Sequence, residues 1–278
     1  MHVIASLIAI LFYLAAAIPQ GLVLLGRSSV DMLGDTRALP HRTRFLLLGF
    51  TAVSAHGIAA FATIYTPQGI DLGFFRVLSL ISWFICAIGM LSNLRRPLEN
   101  SLALVFPLAC VALVASLLGR GPDVYLHNYG PGLFAHILLS ILAYSVLALC
   151  ALQAMVLWLQ ERELKHHHMR GILRVLPPLQ TMEAMLFEGL WAGLLLLTLA
   201  IGAGALYVDN LFAQHLVHKT AFSIIAWAIF AALLWGHHRQ GWRGHTAVRW
   251  TLLGFGALAL AYFGTKFVLE LVLHRLPT

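Results

Sequence analysis

The sequence contains few charged residues. Only 10% of its 278 residues are Asp, Glu, Lys or Arg, and 60% are hydrophobic. Soluble domains carry about 25% charged residues, and the mean hydropathy of this chain is +0.85. The composition therefore predicts a polytopic membrane protein. In such a protein the net charge of +7 is explained by basic residues that anchor loops on the cytoplasmic face, without any role for nucleic acid.

Cysteine is also scarce, and the common catalytic motifs are missing. The three cysteines, Cys86, Cys110 and Cys150, each lie inside an apolar run, and none belongs to a CxxC pair. We expect them to pack as small hydrophobic residues, which argues against a thiol-relay enzyme. The chain has no P-loop, GxGxxG motif or serine-nucleophile elbow. Because no activated nucleophile or acid–base pair is visible, we predict no bond-making catalysis.

Carboxylates are nearly absent from the apolar runs. Asp and Glu fall in the segments between the runs or at their ends, with Glu188 about one turn inside a predicted helix. Proton-coupled and cation-coupled transporters usually need carboxylates near the middle of the membrane. A transporter of that kind is therefore disfavoured.

What the chain does contain is apolar runs of membrane-spanning length. We count eight and predict an all-α membrane bundle of about eight helices, forming a single integral membrane domain over residues 1–278. The runs are 3–26, 45–65, 73–94, 100–118, 133–159, 185–208, 220–238 and 249–272. The first run lacks a basic segment before it, so we expect a retained helix and no cleaved signal peptide.

The distribution of basic residues predicts the orientation of these helices. If the amino terminus is outside, 13 of the 18 Lys and Arg residues fall in cytoplasmic segments and 5 remain outside. Cytoplasmic segments carry the excess of positive charge in membrane proteins. The prediction is therefore that both termini lie outside.

Two polar segments are interpreted without a binding role. His166, His167 and His168 are adjacent, and adjacent residues do not face one metal from a single helical face; we interpret them as part of a solvated basic loop. The segment Gly119–Pro131, GRGPDVYLHNYGP, is rich in Gly and Pro and predicts a surface loop of turns. Its Tyr125 and Tyr129 would lie at the depth of the membrane interface.

Histidines are the polar residues that accompany the apolar runs. His56 is near the middle of the second run, His136 is at the outer start of the fifth, and His237 is at the inner end of the seventh. Each alone is compatible with a hydrogen-bonded structural histidine. Together, in a bundle poor in carboxylates, they suggest a ligand set, because imidazole binds haem iron, copper and zinc.

Aromatic residues in the same runs would suit a flat apolar cofactor, although simple packing explains them equally. They are Trp83, Phe84, Tyr144, Phe222, Trp227 and Tyr262. Arg76 and Arg120 are candidates to meet anionic groups of such a cofactor at the outer face; membrane-interface anchoring is the alternative for both.

Three segments resemble the cytochrome c assembly family, the haem-handling membrane proteins that include the CcsA and CcmC types. Within the family the chain is most similar to the YpjD-type inner-membrane subgroup. The segments are AHILLSILAYSVLALCALQAM at 135–155, HKTAFSIIAWAIFAALLWGHHRQGWRG at 218–244 and LGFGALALAYFG at 253–264. The likeness is best over roughly 130–264.

The resemblance implies a bacterial inner-membrane protein that binds or handles haem. His136 takes the position of an external haem-binding histidine, and His237 takes that of an inner histidine. His56 is the candidate for the family's histidine in an early helix. The implied iron ligands are thus His136 on the outer side, with His237 and His56 on the inner side. At a rise of 1.5 Å per residue, His56 lies on the order of 15 Å from the inner end of its helix, so sharing one iron with His237 needs a tilted or broken helix.

The chain departs from the family pattern in the loop that presents haem. That loop is rich in tryptophan and ends in an aspartate, whereas Asp209–Lys219 reads DNLFAQHLVHK, with Val217 at the aspartate position. Ala261 stands where the CcsA pattern has a histidine in the last helix. His215 and His218 are candidates to replace that ligand, or simply solvated loop residues. The alternative to haem handling is therefore a non-catalytic membrane accessory that keeps the fold and binds another membrane protein.

Overall fold

The computed structural model describes residues 1–24, 41–95, 99–119, 125–126, 130–165, 178–207 and 217–264. Within these residues the chain forms eight α-helices and three very short strands. The helices are α1 His2–Leu24, α2 His41–Ile64, α3 Phe74–Arg95, α4 Glu99–Leu118, α5 Pro131–Lys165, α6 Leu179–Tyr207, α7 Val217–Gln240 and α8 Gly244–Ala259. The strands are β1 Tyr65–Thr66, β2 Gly69–Asp71 and β3 Tyr125–Leu126, and a π-helical turn, Leu260–Gly264, continues α8.

The predicted class, a polytopic helical membrane protein, is confirmed. Six of the described helices are long and apolar enough to cross a membrane, and α4 adds a shorter apolar stretch, Leu102–Leu118. The six spans are His2–Leu22, His41–Ile64, Phe74–Arg95, Pro131–Arg162, Leu179–Tyr207 and His218–Gln240. Large apolar side chains such as Leu195 and Val111 are more than 60% exposed, as expected where lipid replaces water around a helix.

Helices α5 and α6 each extend six residues beyond one end of the predicted apolar run. The apolar run 133–159 lies within α5, which has 35 residues and continues to Lys165; α6 begins at Leu179, not at 185. At 1.5 Å per residue α5 is about 52 Å long, compared with about 30 Å for the hydrocarbon core. Hydropathy detects only the lipid-embedded part, because helical backbone hydrogen bonds persist beyond the bilayer.

The strands were not predicted. The segment Gly119–Pro131 was expected to be a loop of turns, but Tyr125–Leu126 pairs antiparallel with β2, with Ile70 opposite Leu126 and Asp71 opposite Tyr125. Strands of two or three residues are too short to show the alternation by which a strand is recognised in a sequence.

The chain divides into two compact units. In the first unit α1 packs against α2 and α4. The rings of Phe45 and Phe106 stack with their centroids 5.6 Å apart, and the ring of Tyr13 packs on Phe106 in a tilted arrangement. Glycines allow α3 to approach α2 and α4 closely. A Cβ at Gly49 would lie 2.7 Å from the terminal carbon of Met90, and one at Gly89 would lie 2.5 Å from Leu102.

The second unit contains β2, β3, α6, α7, α8 and α5 up to Glu161. Here α7 packs against both α6 and α8. Glycines of α6 receive side chains of α5: a Cβ at Gly193 would lie 2.5 Å from Leu147, and one at Gly189 would lie 2.6 Å from Cys150. The single integral membrane domain expected from the sequence remains a prediction, because the division into two units does not test it.

The cysteines pack as predicted. Cys86, Cys110 and Cys150 are all buried free thiols. Several residues with a predicted role or location lie outside the described part of the chain. They are His166, His167, His168, Arg120, Tyr129 and His215.

Candidate functional site

His136 lies in the second turn of α5 and is half-buried against α6. Its Nδ1 atom is 2.8 Å from the backbone carbonyl oxygen of Ala200. A carbonyl can only accept a hydrogen bond, so Nδ1 carries the proton and donates it. The neutral ring therefore keeps its lone pair on Nε2, and this is the atom that can bind a metal.

Gly204, one turn after Ala200 in α6, gives the imidazole its room. A Cβ at this position would lie 2.9 Å from Cε1 and 3.0 Å from Nδ1 of His136. Contacts below 3.0 Å require something to move. The ring thus rests directly on the backbone of α6, where the Ala200 carbonyl is within reach.

His237 is in the last turn of α7 and shows the same arrangement. Its Nδ1 donates to the carbonyl oxygen of Trp242, 2.8 Å away, which again leaves the lone pair on Nε2. The ring of Phe187 stacks on the imidazole, with centroids 3.5 Å apart and planes 17° apart. Both contacts hold the ring in one orientation.

The turn that follows α7 places the Trp242 carbonyl. Gly241 has φ +69° and its N–H donates to the carbonyl oxygen of His237 at 3.2 Å, the bond of a helix that ends on a left-handed residue. Gly244 has φ +54°, and its N–H donates to Oε1 of Glu183 at 2.8 Å. Both positive φ values favour glycine. The ring of Trp242 lies over Gly236, where a Cβ would lie 2.5 Å from Cδ2.

His136 and His237 cannot bind the same metal ion. His136 contacts Ala200 and His237 stacks on Phe187, and these two residues of α6 are 13 positions apart. At 1.5 Å per residue this is about 20 Å along the helix. Two imidazole ligands of one metal, each with a bond of about 2 Å, would be about 4 Å apart. The two histidines therefore define two separate places at opposite ends of α6.

His56 belongs to the first unit and has different surroundings. Its ring is 0% exposed. Nδ1 is 3.2 Å from the hydroxyl of Tyr13, and Nε2 is 3.2 Å from Oγ of Ser79. Both nitrogens thus have side-chain partners, and a metal at either one would replace a hydrogen bond. The three helices α1, α2 and α3 are joined through this ring.

The aromatic candidates are divided between the units. In the first, Trp83 packs on Gly57 and donates its Nε1–H to the carbonyl oxygen of Val53 at 2.9 Å. In the second, Tyr144 packs against Phe255 at 5.3 Å and Tyr262 at 6.3 Å. Each therefore has a packing role within its own unit.

Comparison with known proteins places this chain in a family. The model of the family described as "Cytochrome C assembly protein" matches residues 45–273. The chain belongs to the cytochrome c assembly family. It is 32% identical over 235 residues to the inner membrane protein YpjD of Escherichia coli, a match covering 83% of this chain and 88% of that protein.

Other relatives extend the likeness. An uncharacterized 28.8 kDa protein of Azospirillum brasilense is 32% identical over 206 residues, or 70% of this chain and 76% of that protein. The cytochrome c biogenesis protein CcsA of Gloeobacter violaceus is 27% identical over 93 residues, which is 33% of this chain and 28% of that protein. No solved structure matches.

Two residues that bear on the expected departures from the family pattern lie within the described part of the chain. Ala261, the position at which the resemblance implies the last-helix histidine of the CcsA pattern, is 3% exposed and lies in the π-helical turn after α8. His218 is exposed in the first turn of α7. Of His215 and His218, the two candidates to replace that histidine, it is the one that lies within the described residues.

The histidines could be identified from the sequence, but the residues that orient them could not. Those residues are Tyr13, Ser79, Phe187, Gly204 and Trp242. Tyr13 and Ser79 were visible as polar residues inside apolar runs, and Trp242 lies between two glycines. For Gly204 and Phe187 the sequence carries no signal, because their importance depends on the neighbouring helix.

Proposed function

We propose that this chain is a haem-binding protein of the bacterial inner membrane, with Nε2 of His136 as an iron ligand. The observation that carries the proposal is the hydrogen bond from Nδ1 of His136 to the Ala200 carbonyl oxygen, 2.8 Å long. Histidines that bind metals almost always donate their other ring N–H to a carbonyl, a carboxylate or water, which sets the tautomer and raises the basicity of the ligand.

The described residues fit haem better than a metal bound by protein alone. Among them, no group of three or more His, Cys, Asp or Glu side chains converges. A structural zinc site needs four such ligands and a catalytic one needs three. Haem supplies four nitrogen ligands itself when bound, and the protein adds only one or two. A single well-oriented histidine at each end of α6 is therefore sufficient.

His237 and His56 follow His136 as candidate ligands. His237 has a carbonyl-bound Nδ1 and an Nε2 lone pair, so it would hold haem iron at the opposite end of α6. His56 would have to lose its bond to Tyr13 or Ser79 first. This order differs from the one expected from the sequence, in which His56 and His237 form an inner pair.

The proposal includes a location and an orientation. The relative in Escherichia coli is named an inner membrane protein, and the 13-to-5 distribution of Lys and Arg favours an orientation with both termini outside. His136 then lies at the outer side and His237 at the inner side. Reporter fusions at the carboxyl terminus test this orientation: an outside-active reporter should work and a cytoplasm-active reporter should not.

The visible spectrum of the purified protein tests haem binding. The protein is expressed with ample haem and purified in detergent; we expect a Soret band. His136→Ala should remove the part of the Soret band that comes from haem bound at His136. The affinity for added hemin should fall at least tenfold, because removing even a residue that supports a metal ligand typically costs about 10-fold or more. His245→Ala is the control, because this histidine is exposed near the start of α8.

Two results would contradict the proposal. One is a colourless, well-folded protein that does not bind added hemin; this would favour the alternative, a membrane accessory that keeps the family fold and binds a protein partner. The other is a Soret band unchanged in both His136→Ala and His237→Ala. His238→Ala serves as the control for His237, because it is the adjacent residue and is exposed.

A further inference from the structure

We infer that Gly204 is a positioning residue for His136, because it holds the imidazole in the tautomer and orientation in which Nε2 can bind iron. The inference rests on the proposed haem role of His136. The ability of His136 to bind iron would then depend on a glycine of the neighbouring helix, which has no side chain that could itself bind a metal.

The first step is the close contact between the ring and the helix backbone. Gly204 is buried, and a Cβ there would lie 2.9 Å from Cε1, 3.0 Å from Nδ1 and 3.7 Å from Nε2 of His136. The side of the ring nearest to Gly204 is thus the one that includes the proton on Nδ1. Any larger residue would push away the edge of the ring that makes the hydrogen bond.

The second step is the geometry of the acceptor. Ala200 and Gly204 are four residues apart and lie on one face of α6, one above the other. The carbonyl of Ala200 points along the helix towards Gly204, because it also accepts the Gly204 N–H in the helical pattern. A ring that rests on Gly204 is therefore brought to the oxygen that Nδ1 reaches at 2.8 Å.

The third step is a reciprocal contact one turn away. Tyr207 ends α6, and its ring lies on Gly132 in the first turn of α5, where a Cβ would overlap the ring. Each helix therefore packs a ring on a glycine of the other: Tyr207 of α6 packs on Gly132 of α5, and His136 of α5 packs on Gly204 of α6. This pair of contacts fixes the register between the helix ends, so the ring of His136 meets Gly204 and not a neighbouring residue.

The consequence concerns the chemistry of the imidazole. Without the bond to Ala200, the proton is free to reside on either nitrogen, and the fraction of rings with a lone pair on Nε2 falls. The ring also loses its fixed direction. Lost outer partners of this kind typically reduce metal affinity about 10–100-fold. We expect a loss of this size in hemin affinity for Gly204→Ala.

Nuclear magnetic resonance of the haem-free protein tests the inference directly. The full chain is labelled with ¹⁵N-histidine in detergent, and the signals of His136 are identified by their loss in His136→Ala. In the unmodified protein we expect a protonated Nδ1 and an unprotonated Nε2. Gly204→Ala should shift protonation from Nδ1 to Nε2. The matched control is Gly202→Ala, two residues away, where a Cβ meets nothing within 4 Å; its spectrum should be unchanged.

These results separate the inference from the proposed function. If the tautomer is the same in Gly204→Ala and in the unmodified protein, Gly204 does not position the ring, whether or not haem binds. If the tautomer changes but the unmodified protein binds no hemin, the positioning stands and the haem proposal fails.

A double variant covers the case in which Gly204→Ala does not fold. In Gly204→Ala with His136→Ala the ring that would meet the new Cβ is gone, so the thermal midpoint should return to that of His136→Ala. Loss of folding in the double variant as well would show that Gly204 is needed for another contact, and would overturn the inference.

Discussion

His56 in the first unit and His136 in the second are both helical histidines of a membrane protein, but their hydrogen bonds differ in kind. His56 has two side-chain partners, Tyr13 and Ser79, and is completely buried. His136 is half-buried and is bound through one nitrogen to a backbone carbonyl. The first arrangement uses both ring nitrogens to join helices, whereas the second leaves one nitrogen available.

The difference shows what makes a membrane histidine suitable as a ligand. A main-chain carbonyl accepts but cannot donate, so it determines the tautomer. Hydroxyl partners such as those of His56 can donate or accept, and they allow either tautomer. His237 belongs with His136 in this respect, since its partner is the Trp242 carbonyl. We therefore expect changes at His56 to affect stability and changes at the other two to affect haem.

The largest expected effect follows from removing the His56 ring. His56→Ala leaves a cavity and removes one hydrogen-bond partner from each of two buried hydroxyls, those of Tyr13 and Ser79. We therefore expect a loss of about 3–5 kcal/mol in the free energy of unfolding. Unfolding by sodium dodecyl sulfate in mixed micelles measures it. His238→Ala, at an exposed position, should change stability by less than about 0.5 kcal/mol. A stable His56→Ala protein that has lost its Soret band would reverse the comparison and make His56 a ligand.

A smaller loss is expected when only one partner of His56 is removed. Tyr13→Phe keeps the ring packing but removes the hydroxyl that meets Nδ1, which should cost about 1–3 kcal/mol because the buried nitrogen loses its partner. The same unfolding measurement applies. Tyr65→Phe is the control, since Tyr65 is 52% exposed. If Tyr13→Phe and the unmodified protein are equally stable, the Tyr13–His56 hydrogen bond does not contribute to the free energy of unfolding.

The turn that supports His237 provides the next prediction. Gly244→Ala places an ordinary residue at φ +54°, which should cost about 1–2 kcal/mol. The cost is conformational, because the new Cβ would lie an ordinary 3.5 Å from Glu161 Oε2. Gly256→Ala in α8 meets nothing within 4 Å and should stabilise by up to about 1 kcal/mol. Similar behaviour of the two variants would contradict the argument from the backbone conformation.

The smallest expected effect concerns a polar contact on the exposed side of the second unit. Thr198 accepts a hydrogen bond from Nε1 of Trp227 at 2.9 Å, between α6 and α7. Thr198→Val should cost about 0.5–1.5 kcal/mol, the range of hydrogen bonds between membrane helices. Thr51→Val is the matched control, because among the described residues the Thr51 hydroxyl bonds only to the Leu47 carbonyl of its own helix. A larger loss for Thr51→Val than for Thr198→Val would be the opposite of what we expect.

Much of the fold could be predicted because apolar length is a property of sequence alone. Lipid requires about 20 apolar residues to cross it. Each of the eight predicted runs overlaps a described helix, and six of these helices are long and apolar enough to span a membrane. The burial of Cys86, Cys110 and Cys150 followed for the same reason. The short pairing of Tyr125 and Asp71 could not be predicted, because it joins segments more than 50 residues apart through two or three residues each.

The candidate site was predictable only as a set of residue types. His56, His136 and His237 stand out in any reading of the sequence as polar groups in or beside apolar runs. The differing environments of the three histidines cannot be recognised in the sequence, because each depends on a residue that another helix or a turn brings close. That residue is Ser79 for His56, Ala200 for His136 and Trp242 for His237.

The sequence by itself determined the class of this protein, the helices that its described residues form and the family to which it belongs, because hydropathy and short motifs are read along the chain. Only the tertiary structure decided which histidine keeps a free lone pair. That depends on whether each ring nitrogen meets a carbonyl or a hydroxyl, and on a glycine that lets the ring of His136 approach. Such contacts join different segments of the chain, so the sequence pattern of a single helix does not predict them.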